Sequence, residues 1–373
     1  MPTYIHQLDS WPELSWNGEA LVGSLNRVRH QQGRLLGRLD VLGFDVRQST
    51  LLQSISSEVI SSFEIEGAYL DKGKVRSSVA KRLGIEVAGL VESDRETDGI
   101  VEMMLDATQN YEASLTETRL FGWHAALFPT GFSTLQRIAV GSYRKYPMQV
   151  VSGAIGKERI HFEAVEPGRV KHEMDEFIHW FETPSDTQKL DPILKAGIAH
   201  LRFLTVHPFD DGNGRIARAL CDMLLARAEK SPLRYYSMSS QIMAERSEYY
   251  RILESTQKGE GDLTKWLLWF LDCIMRALAD SEAVLSKVLA KAEFWNRYEA
   301  VSFNERQRKL INMMLDGFEG KLRTSKWAKI TSCSHDTALR DIEDLIRKGI
   351  LEKDEAGGRS TSYRLTREYR VIL

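Results

Sequence analysis

Apolar residues recur along most of this chain at the three- and four-residue spacing of an amphipathic helix face. Over residues 19–42 that face consists of Leu21, Leu25, Val28, Leu35 and Leu39. The same spacing predicts helices over residues 49–66, 98–115, 119–128 and 170–180. Asp191-Pro192 is typical of a helix start and predicts a helix as far as Val206, and a further helix begins near Arg215. The chain is therefore predicted to be mainly α.

One interval departs from the helical spacing. Residues 148–165 alternate in polarity on both sides of a glycine-containing turn, with Ile160, Phe162 and Ala164 on one face. Alternation with a period of two is typical of strands. The interval predicts a β-hairpin within an otherwise helical protein.

The C-terminal part of the chain has a pattern of its own. Helices are predicted over residues 305–315, 324–330 and 334–348, followed by a hairpin whose tip contains Gly357-Gly358-Arg359. Three helices and a hairpin resemble a winged helix-turn-helix, and residues 303–373 hold fifteen Lys and Arg against eleven Asp and Glu. This surplus of basic residues favours DNA binding. Three acids of the third helix, Asp341, Glu343 and Asp344, leave protein contact or dimerisation open.

Composition bounds the class of protein. The 373 residues carry 50 Lys and Arg against 52 Asp and Glu, and 43% are hydrophobic, which excludes a disordered or uniformly basic chain. The length favours two or three domains. No apolar run reaches the roughly 18 residues of a membrane span, and no signal pattern opens the chain, so we expect a soluble, cytoplasmic protein. The three cysteines lie far apart and predict neither a zinc site nor disulfides.

The candidate chemistry lies in residues 207–218, which read HPFDDGNGRIAR. Gly212, Asn213 and Gly214 accept left-handed backbone angles and lead into a helix N-terminus, whose free N–H groups favour phosphate. Arg215 and Arg218 share one face of that helix and can reach the same polyphosphate. Taken alone, the glycines are also compatible with a simple turn between helices.

Two further side chains complete the loop. Asp211 is a hard oxygen ligand of the kind that Mg²⁺ prefers. His207 can accept a proton near neutral pH. A base, a metal ligand, a phosphate cradle and two cations thus lie within twelve residues, which the simple-turn interpretation does not explain.

The loop resembles the Fic (filamentation induced by cAMP) family motif H-x-F-x-[D/E]-G-N-G-R-x-x-R at every fixed position. The resemblance implies transfer of AMP from ATP to a Ser, Thr or Tyr hydroxyl of a target protein. It implies that His207 is the catalytic base, that Phe209 anchors the loop and that Asp211 binds Mg²⁺. It also implies that ATP contacts His207 and the run Gly212, Asn213, Gly214, Arg215, Ile216, Ala217 and Arg218.

Other segments resemble the family as well. Residues 141–144, Gly-Ser-Tyr-Arg, are similar to its G-x-Y-R segment, and the hairpin over 148–165 is similar to the flap that holds the target by strand addition. A purely structural lid is compatible with the same residues. Tyr249 and Tyr250 resemble the adenine side of the nucleotide site, although aromatic residues on a helix face also occur in cores.

A regulatory motif precedes the catalytic region. Ser62, Glu66 and Gly67 fit [S/T]-x-x-x-E-[G/N], which in related proteins marks an inhibitory helix. By that resemblance Glu66 pairs with Arg218 and inhibits transfer, including transfer to the protein itself. Glu66 could instead be one of several solvated acids on its helix. In related enzymes the same glutamate supports de-AMPylation, so the reverse reaction stays open.

The whole chain is thus predicted to be a mainly α Fic-type adenylyltransferase. We expect an N-terminal helical region with the inhibitory motif (1–95), a Fic catalytic core with a β-hairpin flap (96–294) and a winged helix-turn-helix (295–373). The expected ligands are ATP and Mg²⁺. The expected partners are a target protein and a second copy of the chain in a homodimer, with DNA as a further candidate through the C-terminal helices. No interaction with a membrane is expected. The alternatives are a DNA-binding regulator that senses nucleotide, or an enzyme that transfers phosphate or phosphocholine.

Overall fold

The structure is a computed structural model. It describes residues 3–40, 44–86, 91–133, 135–153, 159–315, 320–354 and 361–366. The helices within these ranges are α1 Gly18–Asp40, α2 Phe44–Ile65, α3 Lys72–Leu83, α4 Arg95–Gln109, α5 Glu117–Leu127, α6 Pro167–Glu182, α7 Ser185–Gln188, α8 Pro192–Val206, α9 Asn213–Glu229, α10 Met238–Ala244, α11 Arg246–Gln257, α12 Thr264–Arg297, α13 Glu305–Leu315, α14 Thr324–Thr331 and α15 His335–Arg347. The mainly α prediction is confirmed.

The strands form three separate antiparallel pairs. They are β1 Phe132–Ser133 with β2 Gln136–Arg137, β3 Gln149–Ser152 with β4 Arg159–Glu163, and β5 Leu351–Lys353 with β6 Tyr363–Leu365. The predicted hairpin over 148–165 is confirmed in β3 and β4. The tip of the C-terminal hairpin, including Arg359, lies outside the described residues.

Contacts between Cα atoms divide the chain into two compact units. The larger unit comprises residues 1–42 and 51–281, and the smaller comprises residues 43–50 and 282–373. The division into three domains with breaks near residues 95 and 295 stays a prediction.

The centre of the larger unit is the pair α8 and α9, which pack against each other. Every residue from Ile193 to Val206 is buried, so α8 has no solvent face. Asp191 caps this helix, its side chain accepting from the N–H of Ile193, and Pro192 occupies the first turn, as the sequence predicted. Because α4 and α5 contact α9 and α6 contacts α8, the loop between α8 and α9 is supported on several sides.

The smaller unit contains α13, α14, α15 and the pair β5–β6 around a core of its own. Leu310, Trp327, Ile342 and Leu345 are fully buried there. The predicted helices 305–315, 324–330 and 334–348 are confirmed to within a residue. The winged-helix assignment itself stays a prediction. None of the helices described in either unit combines the length and apolar character that crossing a bilayer requires.

Candidate active site

The loop between α8 and α9 is held by its own side chains. The side-chain oxygen of Asn213 accepts from the backbone N–H of Phe209 at 3.0 Å, and its Nδ2 donates to the carbonyl of Phe209 at 2.8 Å. Phe209 is fully buried, with its ring stacked 4.3 Å from that of His124. Asn213 therefore fixes the shape of the loop, and Phe209 anchors it in the core.

His207 occupies a left-handed backbone position directly after α8, with φ 51°. Its Nδ1 lies 3.2 Å from the carbonyl oxygen of Leu204. A carbonyl can only accept, so Nδ1 carries the proton and Nε2 keeps a lone pair. Burial lowers the pKa of His207 to about 4. The imidazole is thus neutral and able to accept a proton at neutral pH.

Arg144 holds the backbone around His207. It is 2% exposed, and its Nε donates to the carbonyl of His207 at 2.7 Å. Its Nη2 donates to the carbonyls of Val165 and Val206, and its Nη1 to that of Tyr146. A guanidinium has five donors in a fixed plane, which suits it to join several carbonyls at once. Arg144 of the G-x-Y-R segment therefore fixes the backbone on both sides of His207 and joins it to Val165.

The glycines of the loop leave room beside the start of α9. Gly212 has φ +83°, and a Cβ there would stand 2.9 Å from the ring of Phe128. Asn213, Gly214 and Arg215 form the first turn of α9, where backbone N–H groups have no intrahelical acceptor. The positive end of the helix dipole and these free donors make this point a site for an anion.

Asp211 has both carboxylate oxygens in contact with the loop and its surroundings. Oδ1 accepts from the N–H of Gly212 at 2.5 Å and lies 3.4 Å from Nη2 of Arg215, and Oδ2 accepts from the hydroxyl of Ser133. The side chain is 42% exposed. Each carboxylate oxygen has two acceptor sites, so these contacts leave capacity for a cation. No cluster of three or more metal-ligating side chains occurs within the described ranges.

Arg215 is fixed by aromatic rings. Its guanidinium carbon lies 4.9 Å from the ring centres of both Phe63 and Phe128, one from α2 and one from the end of α5. Burial lowers the pKa of Arg215, and Asp211 offsets part of that effect. Nε of Arg215 is buried and has no hydrogen-bond partner in the described part of the chain.

Arg218 is bound by the end of α2. Its Nε donates to the hydroxyl of Ser62 at 2.8 Å, and its Nη2 donates both to the carbonyl of Ser62 at 2.7 Å and to Oε1 of Glu66 at 2.9 Å. The arginine side chain is 3% exposed and that of Glu66 is 32% exposed. Nη1 of Arg218 is buried without a partner among the described residues. The predicted contact between Glu66 and Arg218 is therefore present.

The local sequence explains why Glu66 lies there. α2 ends at Ile65, and Gly67 has φ +79°. The backbone N–H of Ala68 donates to the carbonyl oxygen of Phe63, and that of Gly67 donates to the carbonyl oxygen of Glu64. These two bonds are the Schellman pattern of a helix terminus. Glu66 thus occupies the C-cap, where the helix dipole disfavours a carboxylate and a cation from another element stabilises it.

The Glu66 carboxylate also covers the start of α9. A Cβ placed on Gly214 would collide with Oε1 of Glu66 and would lie 3.2 Å from Nη1 of Arg218. The carboxylate therefore occupies the space directly above the anion site. An acidic group at this point opposes a bound phosphate both sterically and electrostatically.

A cavity of about 750 Å³ lies between the loop and the hairpin β3–β4. Its lining includes Glu66, His207, Gly214, the strands β3 and β4, and one face of α11. Tyr249 and Tyr250 both contribute to the wall. Tyr249 is 2% exposed and its hydroxyl pairs with Nε2 of His200, whereas Tyr250 is 36% exposed. Adenine contact by these residues stays a prediction, and their exposure favours Tyr250.

The structure thus brings together the residues predicted for catalysis, phosphate binding and inhibition, and leaves their roles as predictions. Ile216 and Ala217 are buried in α9, so any nucleotide contact there would involve the helix backbone. The sequence patterns did not predict the contacts of Ser133, Phe63 or Phe128, because nothing in a single chain links these positions to the loop.

Comparisons with known proteins agree with this geometry. The model described as "Fic/DOC family" matches residues 114–225, and that described as "Domain of unknown function (DUF4172)" matches residues 4–85. The "Protein adenylyltransferase Fic" of Drosophila grimshawi is 33% identical over 112 residues, 30% of this chain and 21% of the relative. The "Protein adenylyltransferase fic-1" of Caenorhabditis elegans is 34% identical over 99 residues, 26% of this chain and 18% of the relative. The chain spans about a fifth of the length of these curated relatives.

A solved structure shares the fold over almost the whole chain. The crystal structure of a Fic family protein from Desulfovibrio desulfuricans G20 matches with a TM-score of 0.54. The match covers 95% of this chain and 98% of that chain at 20% identity. At that identity the likeness concerns the fold alone.

Proposed function

The chain is a Fic family protein, and from this premise we propose that it transfers AMP from ATP to a hydroxyl side chain of a target protein. One observation carries the proposal. A neutral imidazole with a free Nε2, His207, lines the same cavity as the anion site at the start of α9. A base beside a phosphate cradle is what transfer of a nucleotidyl group to a hydroxyl requires.

In this proposal each group of the site has one task. Nε2 of His207 takes the proton of the target hydroxyl, whose oxygen attacks the α-phosphorus while pyrophosphate leaves. The N–H groups of Gly214 and Arg215 and the guanidinium of Arg218 hold the phosphates. Asp211 would hold Mg²⁺, which neutralises phosphate charge when bound. Strand addition at β3–β4, the flap, would orient the target.

We further propose that Glu66 inhibits this transfer. Its contact with Arg218 and its position above Gly214 support competition with the terminal phosphates of ATP. Hydrogen bonds between charged groups contribute about 1.5–3 kcal/mol each, and 1.4 kcal/mol is a factor of ten. Removing the carboxylate is therefore expected to raise transfer, including self-modification, by about 10- to 100-fold.

The test compares Glu66→Gly with the wild-type protein. Each is incubated with Mg²⁺, ATP labelled on the α-phosphate and a cell lysate, and label on proteins is measured. Glu64→Gly is the matched control, since Glu64 lies in the last turn of α2 without a contact to Arg218 among those described. Equal labelling by wild type and Glu66→Gly would remove the inhibitory role.

The same experiment addresses the alternative functions. A nucleotide-sensing regulator would bind ATP without leaving AMP on any protein, and a de-AMPylating enzyme would remove label from modified proteins. The homodimer and DNA binding through the C-terminal helices stay predictions.

A further inference from the structure

A second histidine lines the cavity and belongs to a chain of three polar side chains. Oγ of Ser152 lies 2.5 Å from Nε2 of His161, and Nδ1 of His161 lies 2.7 Å from Oε2 of Glu254. Ser152 is at the end of β3, His161 is in β4 and Glu254 is in α11. All three contribute to the cavity that also contains His207 and Gly214.

The strand pairing explains how His161 reaches α11. Val150 pairs with Phe162, whereas the next residue, Val151, pairs with Ile160. His161 is therefore the extra residue of a β-bulge. A bulge interrupts the alternation of side chains and turns one of them in a new direction. His161 is thereby directed at Glu254 while its neighbours keep the hairpin pairing.

The hydrogen bonds fix the roles of the imidazole nitrogens. A carboxylate only accepts, so Nδ1 of His161 donates to Glu254, and on the neutral ring Nε2 accepts from the hydroxyl of Ser152. Glu254 also accepts from Lys258 at 2.7 Å and from Arg159 at 3.3 Å. A serine joined to a histidine that is oriented by a carboxylate is the arrangement that activates a hydroxyl as a nucleophile.

We propose that Ser152 is the acceptor of AMP in self-modification, with His161 as its base and Glu254 as the residue that positions His161. The inference rests on the proposed function, because that function supplies the electrophile. Oγ of Ser152 forms a bond to the α-phosphorus of ATP, and the bond from that phosphorus to the bridging oxygen breaks. Pyrophosphate leaves with the electron pair, and the serine proton passes to Nε2 of His161 and then to water.

Two features support Ser152 as the acceptor. It is exposed, so a nucleotide in the cavity can approach it. Its hydroxyl already meets an imidazole, so deprotonation requires no further approach of a base. By contrast, the hydroxyl of Ser255, on the same helix as Glu254, donates to the carbonyl of Ile252 at 3.0 Å and is not part of the cavity wall.

The experiment uses the full chain with Glu66→Gly, ATP labelled on the α-phosphate, Mg²⁺ and a cell lysate. After digestion, mass spectrometry locates AMP on the protein, and the label on lysate proteins is counted separately. We expect AMP on Ser152. Ser152→Ala should remove at least nine-tenths of the AMP label on the protein, a tenfold loss of the kind that losing one positioned nucleophile causes. Ser152→Thr keeps a hydroxyl and should still be labelled. Ser255→Ala should be labelled like the parent protein, Glu66→Gly.

The role of His161 as the base is tested by measuring the rate at which Ser152 is labelled with AMP. His161→Gln should slow labelling of Ser152 by about 10²- to 10⁴-fold, as loss of a general base does, and by more than His207→Ala does. The rate of labelling per protein molecule should not depend on protein concentration, because Ser152 and the nucleotide that modifies it lie in the cavity of the same protein molecule. A hydrogen-bond chain that only fastens the flap to α11 would leave Ser152 unmodified in every variant.

The outcomes separate the two proposals. Labelled lysate proteins without AMP on Ser152 would overturn the present inference and leave the proposed function standing. Absence of label on both the lysate proteins and the chain would overturn both. AMP on Ser152 that depends on His207 but not on His161 would overturn the assignment of the base.

Discussion

The loop between α8 and α9 and the flap, β3–β4, present one histidine each to the same cavity, but they hold it in different ways. His207 lies between buried elements, and its Nδ1 donates to the neutral carbonyl of Leu204. His161 lies on a hairpin with exposed positions, and its Nδ1 donates to the carboxylate of Glu254. Both rings direct Nε2 away from the partner of Nδ1, so each could accept a proton there.

The difference between the partners has a chemical consequence. Burial lowers the pKa of His207 to about 4, so the ring stays neutral over a wide pH range. The carboxylate of Glu254 instead fixes the orientation of the His161 ring and the tautomer in which Nδ1 carries the proton. The loop therefore offers a base whose pKa is lowered by burial, and the flap offers one whose orientation is set by a contact with α11.

The largest expected effect comes from removing the loop histidine. In the Glu66→Gly background, His207→Ala is expected to lower AMP transfer to lysate proteins by about 10²- to 10⁴-fold, because it removes the proposed general base. The measurement is the initial rate of labelling. His172→Ala is the matched control, since His172 lies on the exposed side of α6, 69% exposed. An unchanged rate in His207→Ala would show that His207 is not the base for transfer to lysate proteins, and the proposed difference between the two histidines would be wrong.

The pH dependence sharpens the comparison. A pKa lowered to about 4 means that His207 is deprotonated, and thus competent, above that pH. Transfer to lysate proteins, measured as kcat/KM, should therefore lose activity on the acid side only near pH 4, at about tenfold per pH unit below it. An acid limb that bends near the ordinary histidine pKa of about 6.5 would contradict the effect of burial.

The parts that the sequence could predict are those that depend on local pattern. The helices α1 and α9 follow from apolar spacing, α8 follows from its Asp191-Pro192 start, and the loop 207–218 follows from a dense motif. The helix α12 was not predicted, because residues 266–271 are six consecutive apolar residues, and such a run hides the helical period. In the structure Trp266, Leu267, Phe270, Leu271 and Ile274 are buried on one face, whereas Leu268 and Trp269 are partly exposed. Between Met238 and Gln257 the helix is interrupted at Glu245, where α10 ends and α11 follows.

The candidate site depended on contacts between distant segments. Glu66 and Arg218 could be paired in advance only through the family resemblance, since 152 residues separate them. The hydrogen bonds of Arg144 to Val206 and His207 and the contacts of Arg215 with the rings of Phe63 and Phe128 result from packing. The bulge that directs His161 toward Glu254 depends on the register of two strands, which alternation alone does not determine.

The smallest expected effect concerns the ion pairs that join the flap to α11. Burial alone would raise the pKa of Glu254, but hydrogen bonds from Lys258 and His161 outweigh it and lower the pKa to about 2. A carboxyl group whose pKa falls on folding stabilises the folded state above its ordinary value of 4.5, and this contribution is lost as the pH falls through about 2. Glu254→Gln should therefore reduce the free energy of unfolding at pH 7 by about 1 kcal/mol or less, since the partly exposed charges are screened by solvent.

Urea unfolding of wild type and Glu254→Gln at several pH values measures this contribution. The difference between the two proteins should be constant above pH 5, should shrink steadily below it and should vanish near pH 2, in keeping with the linkage between proton binding and stability. Glu260→Gln, an exposed position that makes no ion pair within the described ranges, should match wild type throughout. A difference that persists unchanged into acid would mean that packing of the glutamate, rather than its charge, fastens α11 to the flap, and the flap histidine would then lack the carboxylate partner that distinguishes it from His207.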